Sequence, residues 1–254
     1  IMDGWPISIS YNIHGSPAVG DLDNDGDLEI LAIDSLFSYA WHHDGTPVDG
    51  WPKNYGSTTS PTLYDIDNNE DLEIITGTID SNTKKDCARI DIWNYDGTSF
   101  PGWPVIIDDY GFSVIQYSSP AIGDLDGDGD VEIVFGIYTE LAGEWKGYLY
   151  VFHQNGSLMD GWPFCTGDGG DICSDPSLGD LDDDGYLEII FSSDNGHVWV
   201  LHHNGSVMDG WPKDIPSWIR SQAIADVDND GLLEIISGAV DTQSVYVWNP
   251  DGSL

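Results

Sequence analysis

Basic residues are scarce in this sequence, and so are cysteines and long apolar runs. Seven Lys and Arg stand against 45 Asp and Glu, which gives a formal net charge of −38 over 254 residues. Nucleic acids and anionic membrane surfaces are bound through basic patches, so this charge argues against both as partners. No run reaches the roughly 20 apolar residues that cross a bilayer, and we expect no membrane insertion. The chain begins at Ile1 without a leader pattern, and we interpret it as a mature form or an excised domain of a larger protein.

The three cysteines form neither a disulfide framework nor a zinc pattern, because their number is odd and their spacing fits neither. Cys165 and Cys173 flank one loop and predict a small disulfide if the compartment is oxidising. Cys87 lies outside that pair. The alternative is three separate thiols.

What the sequence does contain is a repeated pattern of apolar and acidic residues. Hydrophobic residues make up 40% of the chain and include 11 Trp, which is enough for a packed core. Five segments share the pattern SPAVGDLDNDGDLEIL, and they begin at Ser16, Ser60, Ser119, Asp175 and Ser221. A GWP motif is interleaved with them, with its indole at Trp5, Trp51, Trp103, Trp162 and Trp211. An alternating strand that ends in an Asp-Gly or Asn-Gly turn completes each unit.

Each unit is predicted to be a four-stranded meander, with strands A and B joined by an acidic loop, then strand C, a turn and strand D at GWP. The units are 44 to 59 residues long, and repetition at this period is typical of a β-propeller. We therefore predict an all-β single domain over residues 1–254 with five four-stranded blades. A two-sheet sandwich is the alternative, but it would not require one strand order five times.

The two ends of the chain are complementary. The first GWP precedes any other strand of its unit, whereas the last unit ends at Leu254 without a strand D. We predict that the N-terminal strand completes the last blade and closes the ring, which would remove an open sheet edge. A fragment of a longer array would have the same ends.

Strand A of every unit runs into a loop with acidic residues at alternate positions. Positions one, three, five, seven and nine of the five loops are Asp21, Asp23, Asp25, Asp27 and Glu29; Asp65, Asp67, Asn69, Asp71 and Glu73; Asp124, Asp126, Asp128, Asp130 and Glu132; Asp180, Asp182, Asp184, Tyr186 and Glu188; and Asp226, Asp228, Asp230, Leu232 and Glu234. So many carboxylates on one tight turn repel each other unless a cation lies between them. Ca²⁺ takes six to eight oxygen ligands in flexible geometry, and we predict up to five calcium sites.

The proposed ligands divide by position. Positions one, three and five offer side-chain oxygens, position seven offers its backbone carbonyl, and the carboxylate at position nine closes the site. This division explains why Tyr186 and Leu232 are tolerated at position seven. An EF-hand would need its closing acid at position twelve, where these loops have none. Mg²⁺ retains more water, and softer metals prefer His or Cys, which the loops lack.

Position six is Gly in four loops, where a sharp turn can use a positive φ. The second loop has Glu70 at this position and the neutral Asn69 at position five. Backbone strain and one fewer charged ligand predict that the second site is the weakest.

D-x-D-x-D-G-x-x-E between two strands, in units that carry SPAVGD and LEI, resembles the FG-GAP/VCBS repeat family, which includes the propeller of integrin α subunits. The resemblance covers essentially the whole chain, although five units are fewer than the seven usual in that family. It implies a calcium-binding β-propeller, and the loop residues match the family's ligand positions. It also implies a secreted or cell-surface protein with a role in adhesion or ligand binding.

Loop lengths predict which face binds a ligand. The acidic loops and the turns before GWP are nearly constant in length, whereas the connections on the opposite face vary. These longer connections contain Lys84, Lys85, Arg89, Tyr110, Phe112, Tyr117, Tyr138, Trp145 and Lys146. Aromatic and basic groups can hold a carbohydrate or a protein ligand there. The alternative is that they only cap their own loops.

No catalytic residues can be assigned. The repeated position of His42, His153 and His202 also carries Asn94 and Asn249, which indicates a structural role, and the Trp of GWP is predicted to pack between blades. We favour a non-catalytic, calcium-binding module. A calcium-dependent polysaccharide lyase is the alternative, but it needs a base and a charge-neutralising group that the sequence does not place.

Overall fold

The computed structural model describes residues 4–57, 59–80, 87–107, 114–116, 118–141, 144–167, 170–172 and 174–254. These residues form antiparallel sheets and no helix, so the predicted all-β class is confirmed. Over the same ranges, no helix could therefore serve as a membrane span. The chain divides into two compact units, residues 1–119 and 120–254.

The first unit contains two sheets. The strands of the first sheet are β1 (Ala18–Gly20), β2 (Glu29–Ile33) and β3 (Ser38–Trp41), and those of the second are β4 (Thr62–Tyr64), β5 (Glu73–Asp80), β6 (Cys87–Trp93) and β7 (Val105–Ile107). A further strand, β8, spans Val114–Gln116. In both sheets, neighbours in the sequence are neighbours in space, which is the predicted meander.

The second unit contains three sheets with the same order. The third sheet has β9 (Ala121–Gly123), β10 (Glu132–Leu141), β11 (Glu144–His153) and β12 (Phe164–Cys165). The fourth has β13 (Ser177–Gly179), β14 (Glu188–Ser192), β15 (His197–Leu201) and β16 (Lys213–Asp214), and the fifth has β17 (Ile219–Ala225), β18 (Glu234–Ala239) and β19 (Ser244–Trp248). Each strand pairs antiparallel with the next within its sheet. Five sheets of this kind resemble the blades of a propeller.

Four strands per sheet were predicted. The second and fourth sheets have four, and β9 to β12 form the predicted four-stranded meander within the third. In the first sheet, the fourth strand is reduced to a single bridge between Ser38 and Lys53. Among the described residues, the fifth sheet has three strands. Its edge strand β19 carries Val245, which is 70% exposed.

The hydrophobic core lies between consecutive sheets within each unit. In the first unit, Leu31 and Ala40 of the first sheet pack with Ile74 and Trp93 of the second. In the second unit, one cluster joins the third and fourth sheets and another joins the fourth and fifth. Apolar residues therefore alternate toward both faces of an inner sheet, which explains why its strands are almost continuously buried.

The Trp of GWP links one sheet to the next, as predicted. The Trp51 indole donates to the carbonyl of Tyr95 at 2.9 Å, and the Trp211 indole donates to that of Pro250 at 2.8 Å. Trp162 and Trp5 make the same bond to the turns that follow them. Trp51, Trp103, Trp162 and Trp211 are all buried. Since strand D continues in its own sheet after the indole has reached the neighbour, Trp51, Trp162 and Trp211 each join two sheets.

Candidate metal centres

All five acidic loops lie at one structural position, between strands A and B of their sheets. Position one directly follows strand A, and position nine is the first residue of strand B. The residue before the loop pairs with position nine in every sheet, for example Gly20 with Glu29 and Gly179 with Glu188. The remaining pairs are Tyr64 with Glu73, Gly123 with Glu132 and Ala225 with Glu234. The loops are therefore equivalent tight connections of eight residues.

Position one organises the backbone of its loop. In the fourth loop, the Asp180 carboxylate accepts the amide of Asp184 at 3.1 Å and the amide of Gly185 at 3.1 Å. The amide of Tyr186 then donates to Asp184 Oδ1 at 2.9 Å. The other loops carry equivalent bonds to their own position-one and position-five side chains. This network holds the loop backbone through the side chains of positions one and five, and the position-seven side chain accepts none of these bonds.

The glutamate at position nine is buried beneath its loop. Its Oε2 accepts the amide of position two, for example Leu181 to Glu188 at 2.8 Å, and all five loops share this bond. The position-two side chain is buried in the first four loops, and those of Leu22, Leu125 and Leu181 belong to cores shared by two sheets. The closing acid therefore ties the loop to the hydrophobic core.

Histidines from strand C reach three of these glutamates. Nδ1 of His42, His153 and His202 lies 3.1 Å from Oε1 of Glu29, Glu132 and Glu188, respectively. The sequence analysis interpreted these histidines as structural and missed this contact. Strand pairing could have revealed it, because Glu132 and His153 are direct partners across β10 and β11.

Ligand atoms from several positions converge in these loops. In the first two loops, oxygens of positions one, three and nine lie within 4.8 Å of one another, as do those of positions one, three and five in the third loop. Asp23 Oδ1 and Glu234 Oε1 are buried without a hydrogen-bond partner. Buried oxygens without donors fit a divalent cation, which would supply the missing positive charge.

The carboxylates also raise one another's pKa. Burial raises the pKa of Glu73 to about 7, and Asp67, Asp65 and Asp71 add to the increase by repulsion. Burial likewise raises the pKa of Glu132 and Glu188, although the neighbouring histidines oppose this increase. A bound cation would relieve both the desolvation and the repulsion.

Neighbouring loops are bonded to each other within each unit. The Leu72 amide of the second loop donates to the Leu22 carbonyl of the first at 2.9 Å, and Leu187 donates to Leu125 in the same way at 3.4 Å. Asn24 and Glu70 form a further side-chain bond between the first two loops at 3.1 Å. The first loop is therefore tied to the second, and the third to the fourth.

Positive φ is confirmed at position six, including the loop that lacks glycine there. Gly26, Gly129, Gly185 and Gly231 have φ between 90° and 96°, and Glu70 has φ of 77°. Position four is also left-handed in all five loops, for example Asn24 at 53°, which the sequence analysis did not predict. Asn, Asp and Gly tolerate this conformation better than other residues, so only Glu70 is strained.

We predict that Glu70→Gly stabilises the protein by about 1 kcal/mol, because glycine adopts positive φ without the Cβ clash. The measurement is thermal unfolding in calcium, together with calcium titration of the second site, whose affinity should rise. Gly26→Ala is the matched control, since a Cβ at Gly26 meets no atom within 4 Å and only backbone strain changes. This control should lose stability, and a gain in both variants would contradict the explanation.

The structure places the residues that were predicted to bind a ligand in different environments. Arg89 is buried, and its guanidinium forms two hydrogen bonds of 2.7 Å with Asp91, so it faces no open surface. Tyr138 and Trp145 stack on each other with ring centroids 4.4 Å apart, and Lys146 is partly exposed beside them. Lys84, Lys85, Tyr110, Phe112 and Tyr117 lie outside the described residues, as does Cys173 of the predicted disulfide.

Asp171 lies against the same hairpin, with Tyr138 hydrogen-bonded to its carboxylate. Burial raises the Asp171 pKa to about 6, and the nearby Asp194 raises it further. An unfolded aspartate titrates near 3.9, so the folded state binds the extra proton and loses stability as pH rises from about 4 to about 6.

Asp171→Asn should therefore raise the melting temperature at pH 7.5 and leave it unchanged at pH 4. Differential scanning calorimetry at the two pH values measures the effect. The exposed Asp160→Asn is the control for loss of one charge. A stabilisation of Asp171→Asn that persists at pH 4 would show that the raised pKa is not its cause.

Comparison with known proteins bears on the loops and on the fold. Residues 180–237, which span the fourth loop and the fifth, match the model of the FG-GAP-like repeat. The resemblance seen in the sequence is thereby confirmed for that part of the chain. No curated protein matches the chain in sequence.

Several solved structures resemble the whole chain at low sequence identity. Bap1, a biofilm matrix protein of V. cholerae, superposes with a TM-score of 0.68 at 18% identity, over 98% of this chain and 40% of Bap1. BamB from Moraxella catarrhalis gives 0.60 at 16% identity, over 98% of this chain and 65% of BamB. The C-terminal domain of PilY1 from Pseudomonas aeruginosa gives 0.62 at 13% identity, over 89% and 59%. The chain spans less than two thirds of each, and the likeness is one of fold.

Proposed function

We propose that this protein is a calcium-binding, non-catalytic β-propeller module that binds up to five Ca²⁺, one per acidic loop. The observation that carries the proposal is the repetition of one hydrogen-bonded acidic loop over a buried glutamate in all five sheets. Side-chain and backbone oxygens dominate each loop, and this donor set favours Ca²⁺ over softer metals.

Isothermal titration of the calcium-free protein with Ca²⁺ tests this proposal. We expect a stoichiometry approaching five, with the second site the weakest because of Asn69 and Glu70. A parallel titration with Mg²⁺ should show weaker binding. No heat of binding for either ion would refute the metal function.

We infer an extracellular or cell-surface location and a role in adhesion or ligand binding, as part of a larger protein. The FG-GAP-like repeat and the likeness to a biofilm matrix protein support this inference. The ligand, a carbohydrate or a protein, would bind the face with the long connections, where Trp145 and Lys146 lie. A glycan array in calcium tests carbohydrate binding, with Trp145→Ala expected to weaken any hit. Product analysis of each hit separates binding from lyase activity.

We also propose that the N-terminal segment closes the ring as the fourth strand of the fifth sheet. Lys213 lies two residues after the Trp of its GWP motif, and it pairs with Val198, which lies four residues before His202 at the end of strand C. The first three sheets have a pair at the same spacing. The same register would pair Ile7 with Val245. Ile7→Cys with Val245→Cys should form a disulfide under mild oxidation, detected by peptide mass spectrometry. Absence of the cross-link, with a longer array in the parent protein, would refute closure at five blades.

A further inference from the structure

In all five sheets, strand C ends in the same backbone turn beneath the acidic loop, but the residue that begins this turn is of two kinds. At the end of strand C, His42, Asn94, His153, His202 and Asn249 each donate their amide to a carbonyl four residues later, at 2.9 Å. Three of these residues are histidines and two are asparagines. The position is therefore structurally equivalent in all five sheets, and only the side chain differs.

The histidines fix the second oxygen of the closing glutamate. An ionised carboxylate only accepts hydrogen bonds, so Nδ1 of His202 donates to Glu188 Oε1 at 3.1 Å while the Leu181 amide donates to Oε2. With a donor on each oxygen, the carboxylate is held in one orientation. Its remaining lone pairs stay available to a cation. The same arrangement holds for His42 with Glu29 and for His153 with Glu132.

The asparagines at the same position bond within their own turns. Asn94 donates to the Thr98 hydroxyl at 2.8 Å, and Asn249 donates to the Ser253 hydroxyl at 2.9 Å, so both amides are used within their own turns. Glu234, which is 3% exposed, keeps a buried Oε1 without a hydrogen-bond partner. The fifth loop is informative because its Asp226, Asp228, Asp230 and Gly231 match the favoured pattern.

We propose that His42, His153 and His202 are positioning residues that orient the closing glutamate for the cation, and that they divide the loops into three tighter and two weaker sites. This inference rests on the proposed calcium function. Partners that orient metal ligands typically contribute about 10- to 100-fold to metal affinity. We therefore expect the first, third and fourth sites to bind Ca²⁺ at least about tenfold more tightly than the second and fifth.

Exchange of the two side chains within the second unit tests the proposal. Calcium titrations of the full chain compare the wild type with His202→Asn and Asn249→His. His202→Asn should move one site from the tight class to the weak class. Asn249→His should move one site in the opposite direction, because the new imidazole can reach the unpartnered Glu234 oxygen. The melting temperatures of all three proteins in chelator provide the control for folding.

The gain in Asn249→His distinguishes positioning from packing, since a general loss of stability cannot tighten a site. If the wild type binds calcium but both exchanges leave every affinity unchanged, the histidines have no positioning role and the calcium function stands. If the wild type binds no calcium, the proposed function itself fails.

Discussion

Excess EDTA should lower the melting temperature of this protein by about 20 °C or more relative to the protein in saturating calcium. A site filled at 100 times its dissociation constant contributes about 2.7 kcal/mol to stability. For a chain of this size, 1 kcal/mol corresponds to about 2–4 °C, so the loss of even three or four ions gives a shift of this order. The carboxylates of each loop would then repel one another, because no cation offsets their charge.

The structure explains why the loss should spread beyond the loops. Position two of each loop is bonded to the buried glutamate, and in the first, third and fourth loops its side chain is packed in a core shared by two sheets. A loop that opens therefore exposes core. Re-addition of excess Ca²⁺ should restore the original curve, whereas the same concentration of Mg²⁺ should restore it in part. A melting curve unchanged by EDTA would remove the basis for calcium as a stabilising ligand.

Trp211→Ala should be the most destabilising single substitution among the GWP residues of the second unit. Trp211 is 7% exposed, packs edge-to-face on Trp248 with centroids 5.8 Å apart and donates to the Pro250 carbonyl. Truncation of a buried Trp to Ala typically costs about 3–5 kcal/mol, so we expect a fall in melting temperature of about 10 °C. The fourth and fifth sheets would lose the packing and the hydrogen bond of this indole.

Trp211→Phe separates packing from the hydrogen bond. It keeps an aromatic ring but leaves the Pro250 carbonyl without its donor, which costs about 1 kcal/mol, and its melting temperature should lie between those of the wild type and the alanine variant. Trp218→Ala is the matched control, because Trp218 is 54% exposed in the same unit. Equal losses in Trp211→Ala and Trp218→Ala would show that the GWP indole does not hold the sheets together.

The loops and their flanking strands were predictable because each repeat carries its own signal. Acids at alternate positions between two short apolar runs fix both ends of the connection, and the structure places Asp180 and Glu188 at those ends. The role of Trp51 as an inter-sheet contact followed from its repetition. The single bridge at Lys53 could not be read from the motif, since strand pairing depends on what lies beside each edge. The missing strand D of the last repeat was visible in the sequence, and the described part of the fifth sheet has three strands.

The contact between His202 and Glu188 was missed because it depends on the register of two strands joined by a connection of variable length. The number of residues between strands B and C differs among the repeats, so sequence spacing gives no constant separation between the two side chains. The buried ion pair between Arg89 and Asp91 was missed for a related reason. The two residues lie on one strand, and Arg89 was assigned to an exposed connection, whereas β6 is buried along its length.

The attachment of the GWP indole to the following sheet, as at Trp51, Trp162 and Trp211, bears on how such an array can grow. A gene segment duplicated from one GWP to the next would carry an indole at its start and a receiving carbonyl in its turn. Inserted in phase, the new copy would accept the preceding indole and offer its own to the sheet that follows, as Trp51 does to Tyr95. Lengthening by whole repeats therefore gives every indole an acceptor carbonyl, whereas a cut at a sheet boundary would leave one indole without its acceptor. Tandem duplication in this frame is the simplest origin for the five units.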